Sequence, residues 1–119
     1  MNLINRIHAF SKLGEILRNP SPERFPCFGA EIIKLNQLIE SSYNINAWFT
    51  PENVATAVNS LGQALRQQNI EKWIYKYPKK TFEVTRTATV AVVMAGNIPL
   101  VWFHDYLCVM ISGHRFLGK

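Results

Sequence analysis

Cysteine, glycine-rich loops and unbroken apolar runs are scarce in this chain, and each scarcity removes a class of protein. Two cysteines occur in 119 residues, Cys27 and Cys108. They lie far apart in no metal-type spacing, which argues against a disulfide scaffold or a zinc centre and fits a reducing cytoplasm. No P-loop and no Gly-x-Gly-x-x-Gly is present, so the usual glycine-rich phosphate cradles are missing. The N-terminus, Met-Asn-Leu-Ile-Asn-Arg-Ile-His, has no apolar core of signal-peptide length. The most hydrophobic region, 87–113, is interrupted by Asn97, Pro99, His104 and Asp105. A membrane span needs about 20 predominantly apolar residues, so this region reads as buried core and no span is expected. Acidic residues are also few: eight, against 13 Lys and Arg, for a net charge of +5. The positive residues are scattered, and their densest group, Lys76-Tyr-Pro-Lys79-Lys80, is short and holds a proline. That pattern suits a solvated loop better than a nucleic-acid face, so no nucleic-acid partner is expected.

What is present is a globular composition, 48% hydrophobic and 18% charged, in a chain of single-domain length with no internal repeats. Four helical segments come first. Residues 3–18 place Leu3, Ile7, Phe10, Leu13 and Leu17 on one side at helical spacing. Pro20, Pro22 and Pro26 forbid helix and define a loop, after which residues 30–42 present Ile32, Leu35 and Ile39. Trp48-Phe49 is expected to plug the next connection. Thr50-Pro51-Glu52 then supplies a hydroxyl N-cap, a proline at the first helical position and an early carboxylate near the positive end of the helix dipole. Val54, Val58, Leu61 and Leu65 continue as one stripe, and residues 68–77 form a fourth helix that Pro78 stops. Residues 79–87, with alternating Phe82 and Val84, suggest a short edge strand or an extended lead-in.

The last thirty residues change character. Residues 89–94 are apolar almost throughout, as in a parallel strand covered on both faces. The run ends at Gly96-Asn97, Pro99 is expected to open a helix that closes at Gly113, and a second short apolar run follows. Strand, helix and parallel strand make a βαβ crossover, which needs roughly thirty residues. The helix is apolar on nearly every side and so requires burial all round. Four short amphipathic helices cover one side of it, which leads to the expectation that the chain is the front part of something longer.

Asn97 stands at the carboxyl end of the expected strand, where open α/β sheets bind ligands. There an amide either turns the chain before a helix or donates a hydrogen bond to an oxygen that gains negative charge. His104 and Asp105 are helix neighbours pointing about 100° apart, so they form no dyad. Cys108, in mid-helix among apolar neighbours, reads as an inert core thiol.

Met94-Ala-Gly-Asn97-Ile-Pro99-Leu100, followed by a helix, Gly113 and a lysine six residues later, resembles the aldehyde dehydrogenase superfamily. More closely, it is similar to fatty acyl-CoA reductases of the bacterial bioluminescence type, where Ala-Gly-Asn-x-Pro replaces Pro-Trp-Asn-Phe-Pro. Bacteroidetes-type acyl-CoA reductases look closer still, because they share the helical front and the stretch Trp48-Phe49-Thr50-x-Glu52-Asn53-Val54. The resemblance implies an α/β fold, mostly helical here. A helical region, 1–78, would be followed at 79–119 by the first β-α-β of a Rossmann-like dinucleotide-binding domain, truncated. It implies Asn97 in the oxyanion hole, with Met94, Ala95 and Gly96 lining the nicotinamide side of NADPH and Lys119 binding its adenosine ribose or 2′-phosphate region. The implied reaction converts a fatty acyl thioester, such as acyl-CoA, to the aldehyde through a cysteine acyl-enzyme. The nucleophilic cysteine and the active-site glutamate of the superfamily fall downstream of these 119 residues, so the chain alone is expected to be inactive. Trp102 and the terminal His-Arg-Phe-Leu-Gly-Lys depart from the family pattern. Partners implied are the remainder of the enzyme or a second copy. The competing expectation is a non-enzymatic, mostly helical module that docks its apolar C-terminal third on another protein.

Overall fold

Asn2 caps the first helix, its Oδ1 accepting the Asn5 N–H at 2.9 Å. Helix α1 then runs over Leu3–Arg18, as its apolar spacing predicts, and stops where Asn19-Pro20 follows. In the computed structural model, which describes residues 1–119, it is succeeded by α2 (Gly29–Ser41), α3 (Pro51–Ala64) and α4 (Gln67–Ile74). Strand β1 (Thr89–Val92), helix α5 (Phe103–Ile111) and strand β2 (Arg115–Gly118) complete the chain. The fold is mostly helical, with one two-stranded parallel sheet. The expected cap of α3 is present: Thr50 Oγ1 accepts the Asn53 N–H at 3.2 Å, with Pro51 at the first helical position.

The centre of the molecule is the crossing of α1 and α3. A methyl on Gly14 would lie 2.6 Å from Leu65 Cβ, and one on Gly62 would lie 2.9 Å from the Arg18 backbone nitrogen. The two backbones therefore approach as only glycines permit. The Arg18 guanidinium reinforces the crossing by donating from Nη1 to the Gly62 carbonyl. Around it lies one core that takes Ile7, Phe10 and Leu17 from α1, Val54 and Val58 from α3, and Ile70 and Ile74 from α4. Phe82, Phe103 and Ile111 join the same core, so the segments before and after residue 78 share it. A smaller cluster of Ile16, Phe25 and Ile32 fastens α2 to the outer side of α1. α5 docks through aromatic edges: Phe103 packs against Phe10 with ring centroids 6.5 Å apart, and Tyr106 against Phe10 and Phe116 at 6.1 and 5.1 Å.

β1 and β2 pair in parallel, Thr89 opposite Arg115 and Val92 opposite Gly118, with α5 as the crossover. α5 closes as expected at Gly113, whose φ of +90° suits glycine. The Gly113 N–H bonds to Met110 O and the His114 N–H to Val109 O, both at 3.1 Å, a Schellman ending that turns the chain into β2.

Four expectations need correction. The helix after β1 begins at Phe103, not Pro99, because Leu100 takes a left-handed φ of 60° and breaks the helical path. The strand is not covered on both faces. Val90 and Val92 are half-buried while Thr89 and Ala91 are exposed, since β2 is the one element that packs extensively on it. Residues 79–82 form a 3-10 turn rather than an edge strand, because Pro78 leads directly into it and the turn drives Phe82 into the core. Of the expected plug, only Phe49 packs on the core, whereas Trp48 remains 77% exposed. In α5, the side chains of Phe103, Val109 and Ile111 are buried and the rest are half-buried or open, so its apolar surface is only partly covered.

Candidate functional site

The carboxyl ends of the two strands define the site. Met94 donates its N–H to Lys119 O at 2.8 Å, and Lys119 donates its own to Val92 O at 3.0 Å. These bonds extend the ladder past β1 and set Lys119 beside Met94. Ala95, Gly96 and Asn97 leave the same strand end directly and are exposed. All five residues singled out in the sequence therefore gather at one end of the parallel pair. The helix start expected beside Asn97 is displaced to Phe103, with turns at residues 98–102 intervening.

The helical front reaches this end as well. Asn46 Nδ2 donates to the Gly96 carbonyl at 3.0 Å, tying the connection before α3 to the strand tip. Trp48, Asn53 and Thr56 then face Asn97, Ile98 and Pro99 across a cavity of about 380 Å³. Asn53 is held at both ends, its N–H on Thr50 Oγ1 and its Nδ2 donating to Trp48 O at 3.5 Å. Over Gly96 the space is open, with no atom within 4 Å of where a Cβ would stand. The Lys119 ammonium is exposed and in no ion pair; the two ion pairs of the molecule both use Glu15. The arrangement presents an amide, an open backbone strip and a cation along one edge, the donor set that an oxyanion and a phosphate require.

Asn46, Trp48, Asn53 and Thr56 were not assigned to a site from the sequence. Trp48 and Asn53 belong to one of the two stretches that carry the family resemblance, and that was the available signal. The structure brings a second pair together as well. His104 and Cys108 stand one helical turn apart, with Sγ 3.6 Å from Nε2. Burial, and then the nearby Asp105, push the Cys108 thiol up from its ordinary value. It is held as a protonated thiol, the opposite of an activated nucleophile. The His104 ring lies 5.9 Å from that of Trp73, and His114 accepts the Ala88 N–H on Nδ1 at 3.2 Å, a structural bond at the entry to β1. No three His, Cys, Asp or Glu side chains gather in a metal-type cluster, and no helix is long and apolar enough to cross a membrane. Comparison with protein-family models, curated proteins and solved structures gave no match.

Proposed function

We propose that the chain carries the N-terminal portion of an NADPH-dependent acyl-CoA reductase of the aldehyde dehydrogenase superfamily. The helices act as a cap, and β1, α5 and β2 open a Rossmann-like dinucleotide-binding domain. One observation carries this reading. The two stretches on which the resemblance rests, 48–54 and 94–100, are distant in sequence yet line one cavity through Trp48, Asn53, Asn97 and Pro99. The tendency of open α/β sheets to bind ligands outside strand carboxyl ends, where these residues gather, supports it further.

The surface supports it too. A monomeric globular protein of this mass exposes about 6,600 Å², whereas this chain exposes 8223 Å². Ile45, Trp48, Val93 and Ile98 are in the open near the strand tip, apolar surface that the remainder of the enzyme, or a second copy, would cover.

In the proposed reaction a cysteine thiolate from outside these residues attacks the acyl thioester, and Asn97 donates to the oxyanion that forms. Release of the coenzyme A thiolate would leave an acyl-enzyme; NADPH, when bound, would supply a hydride to its carbonyl carbon, and expulsion of the cysteine thiolate from the resulting hemithioacetal would free the aldehyde. The residues here fit that cofactor on two counts: the unpaired Lys119 ammonium suits a ribose phosphate, and the open strip at Gly96 admits close approach of a ring. Cys108 takes no part, since its raised pKa keeps it a thiol.

The test is acyl-CoA-dependent NADPH oxidation by the longest natural product of this reading frame, assayed across acyl chain lengths. Asn97→Ala is expected to lower kcat by about a hundredfold or more, and Lys119→Ala to raise KM for NADPH with little change in kcat. Absence of turnover at every chain length overturns the reading. The exposed Ile45, Trp48 and Val93 also favour a second reading, a non-enzymatic interaction module. In that case Asn97→Ala is silent, whereas Trp48→Ala weakens partner binding.

A further inference from the structure

A separate cationic cavity lies at the opposite end of the strand pair. Arg6, early in α1, is partly buried, and its one hydrogen bond runs from Nη2 to the Phe82 carbonyl at 2.9 Å. Its Nε–H is buried without an acceptor, and it enters neither of the two ion pairs. Burial lowers the pKa of the guanidinium from its usual value. A cation partly withdrawn from water with no counter-charge carries a cost that a bound anion would offset.

Arg6 stands in the wall of a cavity of about 550 Å³, inside the roughly 300–1,000 Å³ span of small-molecule sites. Ile74, Tyr77 and Phe82 give it an apolar and aromatic wall, with the Tyr77 and Phe82 rings edge-to-face at 6.4 Å. Lys79 adds a second cation and the Met1 ammonium a third; Glu83, the one carboxylate in the lining, makes no ion pair with Arg6. Thr87 and Gly113 also border the cavity, and they lead into Thr89 and Arg115, the amino ends of β1 and β2. Lys119 is at the other end, four residues or about 13 Å beyond Arg115, and Asn97 lies past that same end.

We infer that this cavity binds a small organic carboxylate, its head on Arg6 and its apolar or aromatic body against Ile74, Tyr77 and Phe82. Arg6, Lys79 and the Met1 ammonium against the single carboxylate of Glu83 leave the lining positive, which suits an anion, and the apolar wall beside them suits one with an organic body. The planar guanidinium fork suits a carboxylate in shape as well as charge. The site does not depend on the reductase reading, because its occupancy is measured without turnover.

Titration calorimetry of the 119-residue chain with 2-naphthoate and its neutral counterpart 2-naphthalenemethanol tests it. The acid is expected to bind about tenfold or more tighter than the alcohol. Arg6→Met is expected to erase that preference while circular dichroism reports an intact fold. Glu83→Gln is expected to tighten naphthoate binding by removing a competing carboxylate, and Lys79→Met to loosen it. These two exposed positions decide the matter if Arg6→Met does not fold. Failure of naphthoate to bind, equal affinity for acid and alcohol, a preference that survives Arg6→Met, or weaker binding in Glu83→Gln overturns the proposal.

Discussion

The crossing of α1 and α3 and the pairing of β1 with β2 are built on opposite terms. At the crossing, Gly14 and Gly62 bring two backbones to a separation that admits no methyl, and Val54, Val58 and Leu65 are buried around it. At the sheet, every second residue of β1 is in the open, and Val93 just beyond it is 89% exposed. Between the two, α5 binds to both, with Phe103 edge-on to Phe10 of α1 and Tyr106 edge-on to Phe116 of β2. The contrast shows where the chain supplies its own cover and where it leaves apolar surface open. The candidate site lies on the open side, as binding surfaces commonly do, and the rigid crossing holds α3 and its Asn53 in position behind it.

Substitutions can break or sharpen this contrast. Phe103→Ala removes the buried ring that joins α5 to the core, and is expected to cost about 3–5 kcal/mol in chemical denaturation. A loss under about 1 kcal/mol would mean that α5 is not part of the core. Gly62→Ala comes next. Alanine is the better helix former by up to about 1 kcal/mol, but the clash with Arg18 is expected to cost about 1–3 kcal/mol, so the variant should be less stable. Net stabilisation would show that the helices are looser than described. Val93→Thr, of similar shape on the open side, is expected to fall within about 0.5 kcal/mol of the parent. Equal losses at Val93 and Gly62 would abolish the distinction between the two regions.

The smallest effect is a matter of pH. With its thiol pKa raised in the fold, Cys108 is expected to alkylate with iodoacetamide more slowly than the exposed Cys27, the lag narrowing as pH climbs beyond the ordinary thiol range. The sign for stability follows from linkage. The folded state holds this proton more tightly, so its contribution is full below the unfolded-state thiol pKa and is lost as pH rises through the folded one. Labelling of Cys108 at a rate equal to Cys27 at neutral pH would contradict its burial.

Local chemistry explains why some of this could be read in the sequence. The bounds of α1, the Thr50 cap and the Gly113 ending each depend on residues a few positions apart, and they match the structure. The tip of β1 could be read because a β-branched run gives way to Gly96-Asn97. Other features depend on contacts between distant segments. Nothing near Gly62 in sequence says that Arg18 and Gly14 will press on it, and nothing near Asn97 says that Asn53 will face it. Leu100 is a third kind of case: a leucine at positive φ contradicts its own propensity, so the helix start was placed four residues too early. The strand's cover was misjudged because an unalternating apolar run indicates what a strand can bury, not whether anything arrives to bury it. The four-residue spacing of His104 and Cys108 is itself legible as one turn of helix.

The parallel arrangement of β1 and β2 also governs the order in which this part of the chain can mature. Antiparallel strands zip up from a tight turn, but here β2 cannot reach β1 until α5 has coiled and Gly113 has reversed the path. During synthesis β1 must therefore emerge and wait, displaying Val90, Val92 and Val93 to the surroundings. That interval, rather than the finished molecule, is when a chaperone would have most to hold and when stray strand-to-strand association would begin.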